Sequence, residues 1–149
     1  MAQEGQVTQQ GVMMGLATLN EVDATWRLVG VGLSDACKRT GGDISAHDLY
    51  RMCRVGDAYL VVWVDPKGGT GACVIAVENW EAGRWLRLMA LYGKNYRGYK
   101  KDLWRFLAEM ADHLGASGLI TEGRPGWERY EPDLEPIKTI YRVKREKVK

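Results

Sequence analysis

Three apolar runs follow one another with almost nothing between them: AYLVVWVD (58–65), GACVIAVENW (71–80) and RWLRLMALY (84–92). The first two are apolar at odd and even positions alike, the pattern of strands covered on both faces. The connections, PKGGT and EAG, are too short for a crossover, so the runs predict an antiparallel meander. The period then changes. Tyr99, Leu103, Phe106, Leu107, Met110 and Leu114 step by three and four residues, which predicts an amphipathic helix ended by Gly115. SGLITEG (117–123) reads as a short strand after it. Strand, helix and strand imply a right-handed crossover, placing this strand parallel to 84–92. Few folds accept a meander that ends in a parallel unit.

The segments before the meander supply helices. GVMMGLA (11–17) reads as a first strand. Val22, Trp26, Val29, Leu33 and Cys37 then recur at helical spacing, with Asn20 as the expected N-cap, Lys38 and Arg39 at the C-terminus and Gly41–Gly42 as the stop. Ser45, with Asp48 three residues later, predicts a capped second helix whose apolar side is Leu49, Met52 and Cys53 and whose end is Gly56. The last stretch, IKTIYRVKREKVK (137–149), alternates at first and sets Lys138, Arg142 and Lys144 on one side, which predicts an edge strand guarded by cations. Together these give an α/β (α+β) chain: one mixed, mostly antiparallel sheet flanked by helices, as a single domain over 11–149 after a loosely ordered, polar 1–10.

Composition narrows the function classes. A chain of 149 residues, 46% hydrophobic, suits one domain with a real core. Its net charge of +2 puts any polyanion affinity in local patches. The three cysteines, Cys37, Cys53 and Cys73, are widely spaced and fall on apolar faces, so core positions and a reducing compartment are expected. No CxxC or Cys/His spacing suggests a metal. His47 and His113 lack partner patterns. The GGTG of the hairpin lacks the Lys-Ser/Thr and helix of a phosphate loop and reads as a turn. No signal peptide or membrane span is expected.

The segment that carries chemistry is GKNYRGYKKDL, leading from the strand 84–92 into the helix. Lys94, Arg97, Lys100 and Lys101 stand there with no acid before Asp102. A helix N-terminus is already partly positive, so such a pile of cations is unfavourable unless something negative sits among them. Three readings stay open. The turn grips a phosphate through its amides. It is a surface for anions or nucleic acid, with Tyr96 and Tyr99 interleaved. Or it is a solvated helix start. EGRPGWERY (122–130) is similarly two-sided: a rigid turn with Trp127 as a lid, or a binding lip with Arg124 toward an anion or a protein. Trp63 and Trp85 are expected in the core, while Trp80, Trp104 and Trp127 lie near element ends as interface candidates.

This element order, with LATLNEVDATWRLV before it and YRGYKKDLWRFLAEMADHLGASGLITEG after the meander, resembles the GNAT superfamily of acetyl-CoA-dependent N-acetyltransferases over roughly 11–145. GDAYLVVWV, AEMADHLGASGLITEGRPGW and the length are similar to small GNAT-fold proteins of tailed phages, among them the internal-virion-protein-like group of short-tailed phages. The resemblance implies a three-layer GNAT-like fold and acetyl-CoA as cofactor, held by an Arg/Gln-x-x-Gly-x-Gly/Ala loop. The implied cofactor-binding positions are Leu91, Gly93, Arg97, Gly98, Lys100 and Lys101. One register pairs Arg97 with the family's Arg and sets Lys100 and Asp102 where small residues belong. The other pairs Asn95 with it, Gly98 with the first Gly and Lys100 with the last. In either, a side chain crowds the phosphate, and Asp102 is expected to repel it. The strand 84–92 has no acid for a base, and Glu78 is expected at the far end from Gly93. The resemblance implies a Glu base on or near the fourth strand and a Tyr acid after the fifth, and the positions that answer to these roles are Glu122 as base, directly or through water, and Tyr130 as acid.

Two functions follow. In the first, loop and base are both worn, and the chain is a non-catalytic virion or virion-assembly protein that binds phage structural proteins, or DNA through Lys94–Lys101 and Arg142–Lys149. In the second it is an N-acetyltransferase of an unidentified amine. The resemblance implies the bacterial host cytoplasm, or the virion, as location. No membrane partner and no metal are expected.

Overall fold

The computed structural model describes residues 6–7, 12–39, 43–123 and 126–147. Six strands lie in chain order across one sheet: β1 (Gln6–Val7), β2 (Met13–Leu16), β3 (Tyr59–Val64), β4 (Thr70–Trp80), β5 (Gly83–Tyr92) and β6 (Gly118–Thr121). Each neighbouring pair is antiparallel except β5 and β6, which run parallel. The helices are α1 (Val22–Arg39), α2 (Ala46–Val55) and α3 (Tyr96–His113). The meander and the parallel strand after α3 match the sequence expectation, as does the mixed sheet with flanking helices.

Alternation along β4 shows why its sequence is apolar throughout. Cys73 and Ile75 belong to one core with Leu103, Phe106 and Leu107 of α3. Ala72, Val74 and Ala76 belong to the other, with Val29 and Leu33 of α1 and Leu49 of α2. The sheet is thus the middle of three layers. Side chains change size accordingly: the α1 side of β4 carries two alanines and takes bulk from the helices.

The α2 boundaries are those the sequence predicts. Ser45 Oγ accepts the Asp48 N–H at 3.1 Å, Asp48 Oδ2 accepts the Ser45 N–H at 3.2 Å, and Gly56 closes the helix at φ 85°. At α1 the cap differs. A 3-10 turn, Leu19–Glu21, precedes the helix and Thr18 is its N-cap, its N–H and Oγ1 both donating to Glu21 Oε1 at 2.8 Å. Asn20 lies inside that turn, because the Thr18–Glu21 spacing offers a reciprocal box that Asn20 with Asp23 does not complete. The expected stop at Gly41–Gly42 lies outside the described residues, as does Arg124.

Two further expectations are corrected. Gln6 and Val7, inside the stretch expected to be loosely ordered, pair with Met14 and Met13 as an edge strand. Residues 137–144 form no strand; a single 3-10 turn, Arg145–Lys147, follows them. Ile140 and Tyr141 are 80% and 84% exposed. Alternation alone does not make a strand, since every ladder bond needs a neighbouring chain. Trp63 is buried as expected, but Trp80, Trp85, Trp104 and Trp127 are all half-buried, so the exposed aromatics are tyrosines.

Candidate functional site

The register of the sheet creates the site. Val74 of β4 faces Ala90 and Ile75 faces Leu88, so Met89 is an extra residue in β5. Leu86 and Leu88 face the α3 core, but Ala90 faces the α1 side. Pairing of β5 with β6 stops at Leu88 and Thr121, where this bulge sits. Beyond it β5 runs on to Tyr92 paired with β4 on one side only, and α3 starts four residues later. A bulge that ends pairing in this way re-aims the chain and opens room beside it.

Helix α3 begins a turn before the predicted Tyr99. Asn95, at φ 62°, is the only described non-glycine residue with a left-handed backbone, and no side chain caps the helix. The Gly98 N–H donates to Asn95 O at 2.9 Å. A Cβ on Gly98 would meet Asn95 Nδ2 at 2.6 Å, so the glycine's open face is occupied by that amide. The loop expected to cradle a phosphate is therefore already helix, and Gly98 has no free donor to offer.

An open cleft of about 580 Å³ lies against this first turn. Arg97 and Lys100 of α3 line one wall, with Asn95 and Tyr96. Trp127, Arg129, Tyr130 and Glu131 line the other. The second wall is short-range structure: Gly126 at φ 85° turns the chain, Trp127–Arg129 form a 3-10 turn, and Trp127 O accepts the N–H of Tyr130 and of Glu131. That turn delivers Glu131 into the protein, where it is only 6% exposed. Lys100 Nζ lies 3.5 Å from both of its carboxylate oxygens. Tyr96 Oη accepts Trp104 Nε1–H at 2.9 Å, and burial first, then the Glu131 carboxylate, pushes the Tyr96 phenol pKa well up. The negative group that the cation pile requires is thus Glu131. No sequence pattern marked it among Glu128, Glu131, Asp133 and Glu135; the missing acid at the start of α3 was the only hint.

The remaining candidates are scattered. Lys94, Arg97 and Lys101 are exposed. Leu91 packs on the α3 core, and Gly93 O accepts Tyr99 Oη–H at 3.3 Å. Tyr99 lies against Trp63, centroids 4.9 Å apart, and burial pushes its phenol up to about 12. Asp102, expected to repel a phosphate, does not line the cleft; it is 5% exposed on the packed face of α3, with Oδ2 unpartnered. Tyr130 stands on the cleft rim, 82% exposed.

Glu122, just past β6, pairs with Arg87 Nη2. Arg87 Nη1 also reaches Glu78 Oε2 at 3.3 Å, and Asp43 Oδ2 lies 4.0 Å from Nη2. Leu86 and Leu88 face α3, so Arg87 points to the other face, toward the loop between α1 and α2. The structure therefore brings Glu122 together with Glu78 on one guanidinium, and no hydrogen bond joins Glu122 to Tyr130 among the described residues. Arg84, the other charge of β5, caps α3 from its Nη1 to Leu114 O at 3.2 Å. Among the described residues no three His, Cys, Asp or Glu side chains are grouped to hold a metal, and no helix is long and apolar enough to cross a membrane.

No protein-family model matches the chain, and no curated protein matches it in sequence. Solved structures do match in shape. A ribosomal-protein-alanine N-acetyltransferase from Brucella melitensis biovar Abortus 2308 superposes with a TM-score of 0.62 at 18% identity, over 90% of this chain and 99% of the other. A probable acetyltransferase gives 0.63 at 14% identity, over 88% and 96%. An aminoglycoside acetyltransferase from an uncultured soil metagenomic sample gives 0.62 at 11% identity, over 93% and 100%. The layered sheet, the parted β5–β6 pair and the helix that starts beside it are, in this chain, the GNAT fold.

Proposed function

We propose that this chain is a GNAT-fold protein that acts by binding rather than by acetyl transfer. The observation that carries the reading is the Lys100–Glu131 contact: a carboxylate of the chain sits at the start of α3, where an acyl carrier's phosphates would need the cation. Two further observations agree. The Gly98 amide is spent inside α3, and Glu122 is tied to Arg87 rather than free to take a proton. The resemblance to phage proteins points to virion assembly as the setting and to phage structural proteins as partners. Contact with DNA through Lys94, Arg97 and Lys101 is the variant of this reading, and its affinity would fall steeply as salt rises.

Acetyl-CoA tests the reading directly. At millimolar concentration it is expected to leave the melting temperature unchanged, because only a ligand that binds the native state raises it. The second reading, an N-acetyltransferase, is favoured by one feature: the cleft beside α3 has room for a ligand and is lined by Arg97, Arg129 and Tyr130. Stabilisation by acetyl-CoA, with acetyl transfer that drops in Glu122→Gln and Tyr130→Phe, would establish it in place of the first.

A further inference from the structure

Among the described residues, β6 ends the strand order and pairs with β5 alone. Edge strands are ordinarily blunted by a charge, a proline or a bulge. Gly118, Leu119, Ile120 and Thr121 supply none of these, and their register with β5 is unbroken. The chain also carries a strand sequence with no sheet. In 139–144, Thr139, Tyr141 and Val143 alternate with Ile140, Arg142 and Lys144, and Ile140, Tyr141 and Val143 are all more than half exposed. The two faces of this segment fit the two sides of β6. Leu119 packs on the α3 core, so Ile120 belongs to the opposite face, with Arg87. There Glu122, Glu78 and Asp43 surround the single Arg87 guanidinium, an excess of carboxylate. Arg142 and Lys144 would complement that charge, Ile140 would cover Ile120, and Tyr141 and Val143 would extend the apolar side beside Leu119.

The segment is badly placed to reach its own β6. Glu131 lies against the start of α3, beyond the end of β5, whereas Lys138 Nζ lies 5.8 Å from the centroid of Trp80, beside the start of β5. Between them the chain returns the length of β5 through Pro132 and Pro136, which have no N–H to give a ladder. Lys138 is thus near the level at which β6 begins, since Gly118 faces Trp85. Residues 139–144 would have to reverse at once to run along that strand, and 137–149 contain no Gly, Pro, Asn, Asp or Ser to turn on. Extended, they can instead reach about 20 Å past Trp80. We propose that 139–144 is an added strand of a second copy's sheet: each copy lays this segment along the β6 edge of the other. The exchange is isologous, so one two-fold contact closes both β6 edges. It goes beyond the reading above and does not depend on it, since the cleft beside α3 takes no part.

Sedimentation and light scattering of the full chain, from micromolar to submillimolar concentration, should rise to twice the chain mass of 16.8 kDa. Ile140→Pro combined with Tyr141→Pro removes two adjacent ladder donors, one of which must face β6. That variant should stay monomeric at every concentration and melt with the unmodified monomer, because within one copy the segment makes no ladder. A full chain that stays monomeric throughout, or a dimer that survives the prolines, overturns the proposal. Cross-linking tests the place independently. All three native cysteines are buried. Mixed under mild oxidation with Ile120→Cys chains, Ile140→Cys or Arg142→Cys chains should form disulfide-linked pairs of unlike chains, and Tyr141→Cys chains, on the opposite face, should not. No such pair from either, or an equal yield from Tyr141→Cys, overturns the proposal. So does a double variant, Ile120→Cys with Ile140→Cys, that links only within one chain. Acetyl-CoA binding bears on none of these outcomes, so this proposal and the reading above fail separately.

Discussion

Arg87 and Lys100 each anchor an ionic group, on opposite sides of the sheet, and the two groups invert the usual count. Arg87 meets Glu78, Glu122 and Asp43, whose side chains are 37%, 48% and 58% exposed. Lys100 meets one carboxylate, which is 8% exposed. Salt and water screen the three exposed carboxylates more than the buried Glu131, although the Lys100 side chain, 34% exposed, is itself wetter than that of Arg87, 23% exposed. The Arg87 group ties β4 and β5 to the chain after β6 and to the loop before α2. The Lys100 pair joins the first turn of α3 to the turn that follows Gly126.

The largest effect should come from removing the cation of the buried pair. Lys100→Met leaves Glu131 inside the protein without its partner and is expected to cost about 3 kcal/mol in urea denaturation, with the m-value unchanged. A loss as small as an exposed pair gives would erase the contrast. Arg87→Met should cost about 1 kcal/mol or less, and that difference should shrink in 0.5 M sodium chloride while the Lys100→Met deficit persists. Equal deficits would mean that burial is not what separates the groups.

The smallest effect is spectroscopic. Tyr96 and Tyr99 have phenols raised from the ordinary value of 10.0, Tyr99 to about 12, chiefly by burial. The folded chain keeps these protons after the unfolded chain has released them. Stability should therefore fall as pH climbs from about 10 through the folded values, and be unaffected by these groups below that window. In Glu131→Gln the Tyr96 transition, followed at 295 nm, should move to lower pH, since a neutral amide no longer opposes the phenolate. Most of the elevation should remain, because burial is its first cause. An unmoved transition would separate Tyr96 from the Glu131 charge.

Much of the fold was legible because its determinants are local. The Ser45–Asp48 box and Gly56 set both ends of α2 within a dozen residues of sequence. The unbroken apolar runs marked β3 and β4 as central strands, and the step of three and four marked α3. Where two local solutions competed, as Thr18 with Glu21 did against Asn20, spacing alone did not choose. Where a pattern needed a distant neighbour, as 137–144 did, alternation was not enough. The candidate site was less legible still. Lys94–Lys101 stood out as a cation cluster, but Glu131, its counter-charge, lies 31 residues beyond Lys100. Glu122 stood out as an acid at a strand end, but Arg87, which holds it, lies 35 residues before it.

By itself the sequence determined the elements, their order, the meander and the position of the cation cluster at the head of α3, because helix period, strand alternation and caps act within a few bonds of the residues concerned. Only the tertiary structure decided what those cations meet. The bulge at Met89 ends the β5–β6 pairing, the turn at Gly126 brings Glu131 inward, and the early start of α3 consumes the Gly98 amide. Coulomb energy depends on separation in space and on the surrounding dielectric, and neither quantity is written in the order of residues.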